Sequence, residues 1–320
     1  MNTNRVSRLL AAVVIALALP STGRPIRADQ TVTHPFEGVT YIDRTETSPR
    51  SVHMHVVQID LTAPGIRFKL SPPAGPQEVI RQTTLDYVKQ ERAQIAINGH
   101  FFWPWPSTAP ESQVLGIGAS DGAVYSAFET PVQSYALVAD APGLNIDERN
   151  EATLVHRDPV DPDGRHVREP VRLWNTVAGS AQIVTAGVVT IPSYIDADHP
   201  GASLTPGGPG AGYSNTHSWY DALNARTAIG LSRDARTLTL LTVDGRGGSL
   251  GMTVGEVARA LIDAYGVWHA LNLDGGGSTS MALQDPITHA WSLVNASSDN
   301  PAGRAVGNSL AVFARPPPAK

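Results

Sequence analysis

The sequence predicts a mixed-sheet α/β domain of α+β character, a single unit with many strands and few helices. Short apolar runs bounded by Gly, Pro, Asp and Asn recur from residue 36 almost to the end. Only two stretches carry helix punctuation, and neither a fixed repeat nor a linker divides the chain. With 320 residues, 42% of them hydrophobic and 17% charged, the chain has enough apolar material for a sizeable core. A net charge of -5 without a Lys/Arg run excludes the basic surface that a nucleic-acid partner needs. The absence of cysteine (Cys 0) excludes a disulfide framework, a lipobox and a thiolate metal centre.

Taken in order, residues 1–28 read as a secretory signal peptide or an N-terminal anchor. Arg5 and Arg8 precede the uncharged run 9–19, which is too short to span a bilayer but suits a signal h-region. Cleavage is expected after Ala28, although Ile26 departs from the small residue preferred at the −3 position. This leader makes bacterial export the expectation, to the periplasm or the medium, with membrane contact only through residues 1–28. The domain itself is expected over 36–315, followed by a Pro-rich tail at 316–320.

Strands are expected at 38–43, 52–61 and 66–70, then a helix at 84–91 and an apolar strand from Ile95 into Asn98-Gly99. Further strands are expected at 114–125, with Asp121-Gly122 as a turn, and at 134–138. Residues 142–170, charged and without periodicity, read as connecting loop, and order resumes at 171–174, 175–180, 183–184 and 188–191. The Gly/Pro-rich segment 192–221 has the length of a binding loop or lid, and its His199 and His217 read as solvated. Strands follow at 226–231 and 238–244. Thr253 and Glu256 have capping-box spacing, opening a helix that Gly266 ends after Tyr265. Strands at 268–274, 291–294 and 309–314 complete the chain.

Candidate chemistry gathers where strands end. The runs ending at Asn98, Asp244 and Asp274 each place an amide or carboxylate at a strand's carboxyl end and then turn through glycine. Such ends line ligand crevices in α/β sheets, whereas three unrelated hairpin turns are the plainer alternative. Gly275, Gly276 and Gly277 leave the backbone bare of Cβ atoms, so amides can approach a ligand beside Asp274. Arg226 and Arg246 supply planar cations suited to phosphate. Trp103 and Trp105, stiffened by Pro104 and Pro106, form either a packed corner or a platform for sugar rings.

His53 and His55 alternate onto one strand face and start a zinc pattern, but no third ligand stands at a matching spacing. Asp244, Asp274 and Asn98 offer oxygen ligands for a hard divalent cation, Ca²⁺ or Mg²⁺, so the metal ligands stay unassigned and no cofactor is required. The chain has no G-x-S-x-G elbow, no Walker loop and no H-E-x-x-H.

Five motifs stand in one order: Asn98-Gly99-His100-Phe101-Phe102; Arg226-Thr227-Ala228-Ile229-Gly230; Val243-Asp244-Gly245-Arg246; Gly251-Met252-Thr253 with Glu256; and Asn272-Leu273-Asp274-Gly275-Gly276-Gly277-Ser278-Thr279. The set resembles the phosphodiester glycosidase family over roughly 39–313. The resemblance implies a mixed α/β domain that hydrolyses a sugar-1-phosphodiester, here a phosphosugar or glycan of the cell envelope or exterior. Family cleft positions map onto Asn98, Arg226, Asp244, Arg246, Asp274, Ser278 and Thr279. His100 in place of a small residue, Ala225 in place of proline and the long 192–221 loop depart from the pattern.

The resulting expectation makes Asp274 the base or electrostatic stabiliser, with Asp244 as its partner. Arg226, Arg246 and the Gly275, Gly276 and Gly277 amides would neutralise phosphate. Asn98, Trp103 and Trp105 would hold the sugar. Two other classes remain open: a noncatalytic envelope protein that binds anionic glycans, and a metal-assisted phosphodiesterase cleaving at phosphorus.

Overall fold

The computed structural model describes residues 28–128, 138, 140–191, 220–298 and 300–317. Nearly all of the expected leader, most of the 134–138 strand and nearly all of the 192–221 loop, with His199 and His217, lie outside the described residues, as does most of the tail. No described helix is long and apolar enough to cross a membrane.

The mixed-sheet domain with few helices is what the chain forms. An eight-stranded sheet runs in the order Ala28–Phe36, Val39–Glu46, Val52–Asp60, Thr237–Val243, Arg226–Ser232, Val267–Asn272, Ala181–Thr185, Val188–Val189. A five-stranded sheet runs Trp291–Leu293, Met281–Gln284, Ile95–Asn98, Ser309–Phe313, Arg67–Leu70. Alternate residues of the large sheet serve two cores, which is why its central strands read as continuous apolar runs. Val57, Ile59, Ile229, Leu238, Leu240 and Leu271 pack with Ile95, Ile97, Met281 and Leu310 of the smaller sheet. Met54, Val56, Ala228, Leu241 and Val243 instead meet Val257 and Leu261 of the helix Val254–Tyr265. The helix Thr84–Glu91 covers the outer face of the five-stranded sheet through Tyr87 and Val88 against Ala96, Ala282 and Ala311. The result is a helix, sheet, sheet, helix stack. Burying each large apolar side chain contributes roughly 1.5–3 kcal/mol.

Both helices start where their caps dictate. Thr83 accepts from the Asp86 amide, and Thr253 with Glu256 forms the expected capping box. Gly266, at φ 66°, ends the second helix in the left-handed region, which costs glycine least.

Several boundaries differ from expectation. The first strand starts at Ala28, ahead of 36. The expected loop 142–170 contains the strands Gly143–Ile146 and Ala152–Val155. Asn145 hid the first of these; its side chain is buried, accepting from the Trp174 amide at 2.8 Å and the Thr176 hydroxyl at 2.8 Å. The expected strand 114–125 is broken into Glu111–Val114, Gly118–Ser120 and Ala123–Ser126. Gly116 interrupts it at φ 104°, and Asp121-Gly122 turns with φ 47° and 84°.

The pairings of the large sheet are antiparallel. The parallel-sheet reason for a shared crevice therefore does not apply, and register takes its place. Arg226 pairs with Val243, Ala228 with Asn272 and Met54 with Val243. The start of one strand and the ends of its neighbours thus share one edge, which holds His53, Arg226, Asp244 and Asp274.

Candidate active site

After Asn272 the chain leaves the large sheet and crosses to the smaller one. Leu273 donates to the Thr227 carbonyl at 2.9 Å, and Asp274 donates to the Gly99 carbonyl at 3.1 Å. Asn98 staples the loop shut from beneath. Its Nδ2 donates to the Asp274 carbonyl at 2.6 Å, while its Oδ1 accepts from the Thr227 hydroxyl and the Ser280 amide, each at 2.9 Å. Fully buried and hydrogen-bonded on both sides, this amide shapes the loop.

The loop itself encloses a cavity of about 110 Å³ lined by Asp274, Gly275 to Ser278, Phe101, Phe102, Trp105 and Arg304. Burial pushes the Asp274 carboxyl up from 3.8 to about 7, against the opposing pull of the Ser278 hydroxyl, Arg304 and the Gly275 amide. Arg304 lies with its guanidinium 4.2 Å from the centre of the Trp105 ring and donates to Ser278 Oγ at 3.4 Å. It rests so closely on the loop that a Cβ at Gly277 would fall 2.2 Å from Arg304 Nη2. Gly276 turns at φ 58°, and its amide donates to the Ala225 carbonyl at 2.9 Å. The Gly276 amide therefore holds the loop's own shape, while that of Gly275 bonds the Asp274 carboxyl. A second guanidinium, Arg81, stands 4.8 Å from the Phe102 ring and 5.8 Å from the Trp105 ring. The cavity has an acidic floor, an aromatic wall and a cationic rim.

Sequence-read residues divide around this cavity. Asp274, Gly275, Gly276, Gly277, Ser278 and Trp105 line it together. Thr279 is buried behind it, its carbonyl accepting from Asn295 Nδ2 at 2.9 Å and from the Ser297 hydroxyl. Trp103 is 48% exposed and outside the lining. Arg226 is buried: Nε donates to the Met252 carbonyl at 2.8 Å and Nη2 to that of Ala222, and burial pushes its pKa down to about 9. That guanidinium ties the 222–226 stretch to Met252 and does not line the cavity. Arg246 is exposed, with Nε 3.4 Å from the Ser297 carbonyl.

Asp244 is buried at the same sheet edge but faces other partners. Its Oδ1 accepts from the Ala296 amide at 2.9 Å, and its Oδ2 lies 3.0 Å from His53 Nδ1 and 3.5 Å from His55 Nε2. Asp43, on the neighbouring strand, stands 2.7 Å from His53 Nε2. Sequence spacing showed no third ligand near His53 and His55; the structure supplies two carboxylates across strands. His100, the departure from the family pattern, is buried filling: Nε2 accepts from the Ala178 amide at 2.9 Å, Nδ1 faces Asn308, and burial pushes its pKa down to about 4.

Arg304 escaped the sequence reading. Gly303-Arg304-Ala305 lies in a polar loop, and only its contact in space with Gly277 and Ser278 of the glycine loop sets this arginine apart.

Comparison with known proteins agrees with the motif order. The sequence pattern of the phosphodiester glycosidase family matches residues 91–313. No curated protein matches the chain. Solved structures share its fold, among them the following three. A hypothetical protein from Synechocystis has 18% identity and a TM-score of 0.58, over 90% of this chain and 64% of that one. This chain thus spans less than two thirds of that relative's length. The catalytic domain of zebrafish N-acetylglucosamine-1-phosphodiester alpha-N-acetylglucosaminidase, auto-inhibited by its pro-peptide, has 22% identity and a TM-score of 0.54, over 92% and 85%. A putative exported protein from Burkholderia pseudomallei has 15% identity and a TM-score of 0.58, over 94% and 99%.

Proposed function

Because the chain belongs to the phosphodiester glycosidase family, we propose that it hydrolyses a sugar-1-phosphodiester at the glycosidic C–O bond, releasing the sugar and a phosphomonoester. The observation that carries this reading is the Asp274 carboxyl, held at about 7 in a cavity shared with Arg304 and Trp105. Cleavage at an anomeric carbon passes through an oxocarbenium-like state and sets free a negatively charged leaving group. An ionised Asp274 takes a proton from the attacking water, or opposes the positive charge on the ring. A carboxyl that titrates near neutral pH suits the first task. Arg304 presents a planar cation to the departing phosphate. Phosphate leaves without strong protonation, so one titrating carboxyl and one guanidinium cover the two developing charges.

The aromatic wall, Phe102 and Trp105, offers rigid apolar area against which a sugar face can lie. Arg246, an exposed cation near the same sheet edge, would meet an outer phosphate of a larger envelope or extracellular glycan. Arg226 and Asn98 act from behind by fixing the backbone that carries Asp274. Residues 1–28, read as a secretory leader, would set this activity in the periplasm or the medium.

Hydrolysis of sugar-1-phosphodiesters in oxygen-18 water tests the reading. Label in the released sugar is the expected outcome. Label in the phosphate means attack at phosphorus and overturns it, as does wild-type turnover by Asp274→Asn.

A further inference from the structure

A second cluster at the edge of the large sheet has a different chemistry from the Asp274 cavity. Asp43 and His55 are direct register partners on adjacent antiparallel strands, with His53 two residues before His55 on the same face. Asp43, His53 and His55 bring ligand atoms within 4.8 Å of one another. Asp244 arrives from the next strand, its amide bonded to the His53 carbonyl at 2.9 Å. Its Oδ2 lies 3.0 Å from His53 Nδ1 and 3.5 Å from His55 Nε2.

Two observations separate this from an ordinary ion-pair cluster. The His55 side chain is 1% exposed, yet its Nε2 has no hydrogen-bond partner among the described residues. A buried imidazole nitrogen aimed at a carboxylate without a hydrogen bond wants an acceptor of its lone pair. The remaining ring nitrogens are both taken: Asp43 Oδ1 holds His53 Nε2 at 2.7 Å, and the Tyr41 hydroxyl holds His55 Nδ1 at 2.8 Å. Outer partners of this kind orient metal-binding imidazoles and set which nitrogen is free to ligate.

We propose that His53 Nδ1, His55 Nε2 and Asp244 Oδ2 bind a divalent transition-metal ion of the zinc class, with Asp43 and Tyr41 as the groups that orient the two imidazoles. Tetrahedral coordination at about 2.0–2.1 Å separates donors by about 3.3–3.4 Å. Asp244 Oδ2 lies 3.0 Å from His53 Nδ1 and 3.5 Å from His55 Nε2, close to that spacing on both sides. Two nitrogens and one carboxylate favour this class over Ca²⁺ or Mg²⁺, which take oxygen ligands. The side chains of His53 and Asp43 are 34% and 42% exposed, leaving an entry path from solvent. Asp244 on this reading is a metal ligand and not the acid–base partner of Asp274.

The test uses untagged full-length chain, stripped with a chelator and then titrated with Co²⁺ and Zn²⁺. We expect one metal ion per chain by elemental analysis, and a visible Co²⁺ spectrum of low coordination number that Zn²⁺ abolishes. His55→Ala should lose the ion. Asp43→Asn, a change at a half-exposed position that spares the fold, should weaken Zn²⁺ binding by about 10–100-fold. Asp274→Asn should bind as the parent does, which separates this site from the proposed hydrolysis. The absence of a Co²⁺ spectrum, binding of Ca²⁺ in preference to Zn²⁺, or unchanged Zn²⁺ affinity in both His55→Ala and Asp43→Asn overturns the proposal.

Discussion

Asp274 and Asp244 look alike in one dimension: each follows an apolar strand, precedes glycine and stands at the same edge of one sheet. In three dimensions their surroundings are opposite. Asp274 sits against Phe101, Phe102 and Trp105, and burial outweighs the help of Ser278 and Arg304, so its proton is held to about 7. Asp244 is also buried, but both of its oxygens meet partners, the Ala296 amide on one side and two imidazoles on the other. A carboxyl in an apolar wall is kept ready to exchange a proton, whereas one tied to an amide and facing imidazoles suits a structural or ligating role.

Amide variants break the comparison most sharply. Asp274→Asn should lower turnover of a sugar-1-phosphodiester by about 10²–10⁴-fold, the usual reach of a general acid–base group. Steady-state kinetics check this, and an equal loss in Asp244→Asn would erase the contrast between the corners. The pH dependence of the parent sharpens it further: kcat/KM should rise through about 7 and level off above, because the ionised Asp274 is the active form. A fall over that range would make Asp274 the acid instead.

Stability should move the other way. The Asp274 pKa is raised on folding, so the folded chain holds the proton while the unfolded chain has lost it between about 4 and 7. Its contribution is fully present at low pH and disappears as pH rises through about 7. The difference from 3.8 to about 7 amounts to roughly 4 kcal/mol. Asp274→Asn should therefore unfold at a higher urea concentration than the parent at pH 8, with little difference at pH 4. Asp244→Asn in chelator should instead lose roughly 1–3 kcal/mol, because it disturbs a buried group that accepts from the Ala296 amide and lies 3.0 Å from His53 Nδ1. The smallest effect is expected at the rim: Arg304→Lys keeps the charge but loses the flat guanidinium over Trp105, costing about tenfold in kcat/KM, or about 1.4 kcal/mol.

Features governed by near neighbours are legible in the amino-acid order itself. Thr253 with Glu256 announces a helix start three residues ahead, and Gly266 its end, because caps are local hydrogen bonds. The apolar run through Leu240 and Leu241 reads as a strand because both faces are covered. Asp274 with its glycine loop is likewise visible as a candidate, since the motif keeps the carboxylate and the bare backbone adjacent in the chain. Asn145 misleads for the same reason: a lone polar residue in a short run reads as loop until its buried partners are seen.

What the amino-acid sequence determined by itself was therefore the inventory of elements, the family motifs and the Asp274 loop. Tertiary structure alone decided which groups meet: Arg304 with Trp105 and Gly277, Asp43 with His53, and Asp244 with both imidazoles. The physical reason is range. Propensity, capping and periodicity act over a few residues, whereas strand register and sheet stacking bring together side chains that no spacing along the chain connects.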